Sequence, residues 1–157
     1  MRKPVLQAMV LADHVYQDKF SGKFIIAGTF SVIFHGQKVA APNDGPTDIE
    51  GDVRKIQGLV SEVGSPFLYL ALTEIHEKVP LQLKLVDLSD ASVLLEAEFS
   101  VIAQDPTQLT EAVLPMPKLP ITKFGTYSLD LLHDEETLGT WRLYVKPVPH
   151  AGPGDAP

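Results

Sequence analysis

The sequence contains no cysteine, and this absence excludes several kinds of chemistry at once. Disulfide bridges, thiolate metal ligands and cysteine nucleophiles all need the thiol group. A chain without cysteine is compatible with a reducing compartment. Any stability must therefore come from packing and hydrogen bonds.

Basic residues are also scarce, and none of them form a run. The chain has 13 Lys and Arg against 20 Asp and Glu, a net charge of -7 and a pI near 5.1. Because phosphate binding needs a basic patch, this balance argues against a nucleic-acid partner. No apolar run approaches the ~20 residues that cross a bilayer, so no membrane partner is expected.

Catalytic motifs are absent as well. We find no Gly-x-Ser-x-Gly elbow, no phosphate-binding Gly-Lys-Ser/Thr loop, no His-Glu-x-x-His and no Gly-x-Gly-x-x-Gly. These absences exclude only the enzymes that depend on such motifs. Since the five His are also dispersed, the sequence favours a protein that is not an enzyme, and no cofactor is expected.

Strand periodicity is what the sequence does contain. At 157 residues the chain has the length of one domain. Apolar and polar residues alternate through much of it, as in strands with one buried face. The predicted strands cover residues 6–16, 23–34, 67–75, 81–85, 93–101, 109–114, 124–132 and 138–145. This spacing predicts an all-β fold, an Ig-like antiparallel sandwich of two sheets with about eight strands.

The remaining segments set the boundaries of the domain. Met1-Arg2-Lys3 and the apolar residues after it imitate a signal peptide, but Gln7 interrupts them and favours a first strand. Residues 47–64 carry helical spacing after a capping box, and a loop with a short strand is the competing interpretation. We expect one domain over residues 1–147 and a disordered Pro/Gly tail over residues 148–157.

Three positions predict details of the packing. Gly28 lies inside a predicted strand, which indicates a bulge or a close backbone approach. The prolines at 115, 117 and 120 confine residues 109–120 to a sheet edge or to a linker. Phe30, Phe99 and Trp141 lie on apolar strand faces and are predicted core residues.

The pair Gly125 and Tyr127 indicates a tyrosine corner at the start of a strand. In this motif the tyrosine hydroxyl bonds to the backbone a few residues upstream. We therefore predict a hydrogen bond from Tyr127 to the backbone of residues 121–123, and structural roles for Gly125, Tyr127 and Trp141.

Two stretches carry a resemblance to a known family. They are Gly22-Lys23-Phe24 leading into an apolar strand, and Gly125-x-Tyr127 followed by a final hairpin. On these motifs the chain resembles a family of small bacterial proteins catalogued only as a domain of unknown function. The resemblance implies a β-sandwich in a cytoplasmic bacterial protein, and it carries over no catalytic residues.

Candidate metal ligands fall into two groups. Glu74 and His76 would share one face of a strand, but zinc needs at least one further ligand. Acidic turns are expected at Asp87 and Asp90 and at Asp134 and Glu135, and such clusters bind calcium in some sandwiches. The simpler interpretation of both groups is a solvated strand end or turn. Asp13, His14 and Asp18 surround an earlier turn, where adjacent strand residues point to opposite faces.

Three functional hypotheses remain, and the first is favoured. It is a non-enzymatic sandwich that binds a protein partner, or a second copy of itself, through an edge strand. Leu109, Val113 and Met116 are the interface candidates because they are apolar and lie on the predicted edge. The second is a calcium- or sugar-binding sandwich that uses the two acidic turns. The third is a metal-assisted hydrolase that uses Glu74 and His76.

Overall fold

The structure is a computed structural model that describes residues 2–35 and 65–149. These residues form nine strands and no helix. The strands are β1 (Val5–Gln17), β2 (Phe24–Thr29), β3 (Val32–His35), β4 (Phe67–Thr73), β5 (Lys78–Asp87), β6 (Ser92–Ile102), β7 (Thr110–Pro115), β8 (Gly125–His133) and β9 (Glu136–Pro147).

The strands form two sheets that enclose one apolar core. The four-stranded sheet has the order β2-β1-β4-β7, and the five-stranded sheet has the order β3-β9-β8-β5-β6. All neighbours are antiparallel except β3 and β9, which run parallel. The predicted all-β sandwich of two sheets is confirmed, and its assignment to the Ig-like type stays a prediction.

One predicted strand is wrong as a single element. Residues 23–34 form two strands, β2 and β3, which belong to different sheets. Gly28 has a φ of 74°, and the chain still pairs with β1 at Thr29 before it crosses to the other sheet. The crossing is held by two hydrogen bonds, from Tyr144 N to Ser31 O at 2.7 Å and from Trp141 Nε1 to Phe30 O at 3.0 Å.

Leucines dominate the core. The inward-facing side chains of β4, β5 and β8 are almost all Leu, and Tyr127 is the large aromatic side chain among them. Phe30, Phe99 and Trp141 are half-buried and pack against this core from its margin. The prediction that these three are core residues is therefore correct about their contacts with the core, but their side chains are less buried than it implies.

Two predictions concern residues outside the described ranges. The helix at residues 47–64 lies entirely outside them, and so does the predicted tail from residue 150 onward. Within the described ranges, no helix has both the length and the apolar character needed to cross a membrane.

Candidate functional site

Glu74 and His76 lie in the loop after β4, not on the strand from which their shared face was predicted. Their side chains nevertheless meet, with His76 Nε2 3.5 Å from Glu74 Oε2. The reason is local, because Glu74 has a φ of 58° and turns the loop back on itself. Among the described residues, no third His, Asp or Glu joins them in a group that could hold a metal ion.

The first acidic turn already has internal partners for its carboxylates. The Asp87 carboxylate accepts hydrogen bonds from the N–H and the hydroxyl of Ser89, at 2.8 and 2.6 Å. Asp90 accepts the same pair from Ser92, and these bonds hold the pKa of Asp90 below its usual range. Lys123 Nζ lies 3.8 Å from Asp87 and 3.9 Å from Asp90. The turn is therefore a self-contained hydrogen-bonded structure.

The second acidic turn lies at the opposite end of the same sheet. Asp87 is paired with Tyr127 at the start of β8, whereas Asp134 and Glu135 follow His133 at the end of β8. At ~3.3 Å per residue, the length of β8 separates the two turns by about 20 Å. One calcium ion therefore cannot contact both turns, and calcium or sugar binding at either turn alone stays a prediction.

The turn at Asp18 is closed in the same way. Its carboxylate accepts hydrogen bonds from the backbone N–H groups of Phe20 and Ser21 and from the Ser21 hydroxyl, which lower the pKa of Asp18. Asp13 lies apart, against the backbone of Gly28. Its Oδ1 is buried and has no hydrogen-bond partner among the residues described. These carboxylates therefore form no common site.

The tyrosine corner has the geometry expected of it. The Tyr127 hydroxyl lies 2.8 Å from the Lys123 carbonyl oxygen, within the predicted range of residues. Gly125 begins β8 and has a φ of 148°. Trp141, on the neighbouring strand, bonds to Phe30 at the crossing between the sheets. All three residues thus lie where the chain changes sheet or enters a strand.

The two sheets do not end together on the side of β6 and β7. The inward-facing leucines of β5 are at most 2% exposed. On β6 their pairing partners are only half-buried at Leu95 and Phe99, and Ala97 between them is exposed. Among the described residues, β6 is the outermost strand of the larger sheet, and its inner face extends past β7.

This overhang creates an apolar groove of about 270 Å³. Its walls come from β6 on one side and from the end of β7 with the following residues on the other. Its apolar lining consists of Leu83, Leu95, Ala97, Phe99, Leu114, Pro115, Met116 and Pro117. In the part of the chain that the structure describes, β7 pairs with β4 alone. The groove is therefore bounded by an edge strand of each sheet.

The three predicted interface residues take different places around this groove. Met116 is buried at its floor, with 7% exposure, so only a segment that enters the groove could reach it. Val113 pairs with Tyr69 on the outer face of the smaller sheet. Leu109 is 52% exposed and lies just before β7. Among the described strands, β7 lies at the edge of its sheet, as Pro115, Pro117 and Pro120 predict.

Sequence reasoning missed the half of the groove that β6 provides. Apolar and polar residues alternate clearly in residues 93–101, and this pattern predicts that one face of the strand is buried. The signal that could have exposed the overhang is Ala97, a small residue in the middle of a row of large ones. Strand alternation says which residues share a face, but it does not say whether the opposite sheet covers that face.

Carboxylates lie on the outer faces of both edge strands. Glu96 and Glu98 are on the outer face of β6, and Glu111 is on the outer face of β7. The Tyr69 hydroxyl donates a hydrogen bond to Glu111, and burial together with this carboxylate raises the pKa of Tyr69 to about 12. Tyr69 thus stays a neutral donor that orients Glu111 at the sheet edge.

The fold and the groove define the class of the protein, a nine-stranded two-sheet β-sandwich with an apolar groove between two edge strands. Residues 66–146 match the model of a family described as "Family of unknown function (DUF6941)". The chain belongs to this family, and the match includes every strand that lines the groove. A search of the curated proteins found no match to the chain.

Proposed function

We propose that the protein binds an extended polypeptide segment, which adds as a strand to β7 and fills the groove beneath β6. The overhang of β6 over β7 is the single observation that carries this proposal. A strand placed beside β7 would complete a fifth position in the smaller sheet. Its side chains would then face the half-buried Leu95 and Phe99.

Strand addition suits both kinds of surface that meet here. An edge strand offers backbone N–H and C=O groups to a further strand, and alternate side chains of that strand enter pockets. Pro115 and Pro117, at the end of β7 and just after it, have no backbone N–H to donate to a further strand. The part of β7 that can hydrogen-bond such a strand is therefore Thr110 to Leu114. The groove begins where this stretch ends, at Leu114.

A second copy of the chain is the weaker candidate for this place. Two β7 strands could pair antiparallel only about a two-fold axis perpendicular to the sheet. The β6 strands of both copies would then extend over the junction of the two β7 strands, on the same side of the joined sheet. Because each β6 already extends past its own β7, the two would collide before the edges met.

The proposal is tested by selecting binders from a displayed library of random nine-residue peptides. Ala97→Arg places a long side chain in the groove, and Ser100→Arg, on the outer face of the same strand, is the matched control. Both positions are exposed, so both variants should melt close to the wild type. We expect enriched peptides with apolar residues at alternate positions, which bind Ser100→Arg normally and lose at least tenfold in affinity for Ala97→Arg.

Peptides without alternation, or peptides that bind Ala97→Arg as tightly as the wild type, would overturn the proposal. Light scattering of the wild type addresses the second copy. A dimer that Ala97→Arg dissociates and Ser100→Arg preserves would replace the polypeptide partner by self-association at this groove.

A further inference from the structure

We infer that the partner segment carries a Lys or Arg on its outward face, opposite Glu111. This inference rests on the proposed function, and it adds the chemistry of the partner. A strand beside β7 would turn its alternate side chains away from the groove, onto the face where Glu111 lies. The residue of the partner directly across from Glu111 would be its cross-strand neighbour.

Glu111 suits such a pair because its position is held. Ala71 is its neighbour on the β4 side, and the Tyr69 hydroxyl binds its carboxylate from the same face. Glu111 is otherwise exposed, so its carboxylate keeps room for a second partner. Opposite charges at directly facing positions stabilise a strand pair, and like charges destabilise it.

The surroundings of the groove have the same sign. Glu96 and Glu98 lie on the outer face of β6, the strand that bounds the groove, and the whole chain carries a net charge of -7. Among the described residues, Glu96 is the only one of these three glutamates with a cation within 4.0 Å, Lys84 at 3.6 Å. Lys118 follows β7 and offsets part of this field. The balance favours a basic segment and disfavours an acidic one.

Three synthetic peptides test separately whether the groove binds an extended polypeptide and whether that polypeptide is basic. They share the pattern Val-X-Ile-X-Val-X-Val, and X is Lys, Thr or Glu throughout. Their affinities are measured for the full chain and for Glu111→Gln, at low salt and at 1 M salt. We expect the Lys peptide to bind most tightly and the Glu peptide least tightly. Each charge should contribute about two- to fivefold.

The difference between the Lys and Thr peptides should shrink in Glu111→Gln, and it should also shrink at 1 M salt, where the Debye length is only about 3 Å. Val113→Lys adds a cation to the same outer face, two residues from Glu111. It should weaken the Lys peptide and leave the Thr peptide unchanged. Its control is Ser100→Lys, on the other sheet.

The outcomes are distinguishable. If the Lys and Thr peptides bind equally and Ala97→Arg abolishes both, the basic partner is refuted and the polypeptide-binding function stands. If the Lys peptide binds best but Ala97→Arg does not change its affinity, the peptide binds outside the groove and both claims fail. If none of the three peptides binds the wild type, both claims fail as well.

Discussion

The Tyr127 hydroxyl donates a hydrogen bond to the Lys123 carbonyl oxygen across four residues, at a distance of 2.8 Å. This bond closes the end of the segment that follows β7, which places Met116 and Leu119 in the core. Burial and the nearby Asp87 carboxylate raise the pKa of Tyr127, so the hydroxyl remains a donor at neutral pH. The floor of the groove and the start of β8 are therefore tied together by one side chain.

Replacing Tyr127 by Phe should lower the free energy of unfolding by about 0.5–1.5 kcal/mol, the net contribution of one hydrogen bond. The ring keeps its packing, so the fold should be retained. Urea denaturation of the wild type and of Tyr127→Phe measures the effect. Tyr144→Phe, whose exposed ring lies on the neighbouring strand, is the matched control. Equal midpoints for all three proteins would show that the bond contributes nothing.

Tyr69 makes a prediction about alkaline pH. Its folded pKa is about 12, against 10 for the unfolded chain, so the folded state holds this proton more tightly. The resulting stability is complete below pH 10 and is lost as the pH rises from 10 to 12. The loss from this group is at most about 1.4 kcal/mol per pH unit. Denaturation midpoints at pH 9, 10 and 11 should fall more steeply for the wild type than for Tyr69→Phe. Parallel slopes would refute the shift.

The turn between β8 and β9 is strained. Its two central residues, Asp134 and Glu135, have φ values of 47° and 66°, as in a type I′ turn, which favours Asn and Gly. Glu135→Gly should therefore stabilise the protein by about 1 kcal/mol. Thr137→Gly, in the adjacent strand, should instead destabilise it by about 0.5–1 kcal/mol. Thermal melting distinguishes the two directions, and a Glu135→Gly protein that melts below the wild type would contradict the prediction.

Gly28 lies inside β2 and approaches Asp13 closely. A Cβ at this position would lie 2.6 Å from Asp13 Oδ2, in a backbone conformation that already disfavours side chains. Gly28→Ala should cost about 2–3 kcal/mol. Asp13→Ala should remove the contact with Oδ2 and leave only the milder one with the Cβ at 3.1 Å, so the double variant should be more stable than the sum of the single effects predicts. Strict additivity in denaturant would show that Asp13 is not the obstacle.

Much of the fold could be predicted from the sequence because apolar and polar residues alternate in several of its strands. In β5 every second residue is buried, and the same pattern predicts β8. The division between β2 and β3 could not be predicted, since both carry apolar residues on both faces. The strand pairing alone shows where the chain changes sheet, after Thr29 pairs with Ala12 and before Val32 pairs with Tyr144. Strict alternation also predicts that Val93 shares the face of Leu95, but a register shift between Leu85 and Val86 pairs Val93 with Val86 on the outer face.

The candidate site was less accessible to sequence reasoning. The edge position of β7 followed from Pro115 and Pro117, which cannot donate to a ladder. The groove depends instead on how far one sheet extends past the other, and this is a property of strand pairing. The contact between Glu74 and His76 accompanies a positive φ at Glu74, and strand alternation cannot predict such a backbone conformation.

Amide hydrogen exchange of the wild type, with and without the Lys peptide, tests the central claim most directly. Strand addition gives edge N–H groups new carbonyl partners, so the exchange of the outward-facing amides of β7 should slow markedly when the peptide binds. The amides of β2, the opposite edge of the same sheet, should be unaffected. Slower exchange along β7 alone is the result that we predict. Unchanged exchange in β7 with saturating peptide, or protection that appears at β2 instead, would contradict the account.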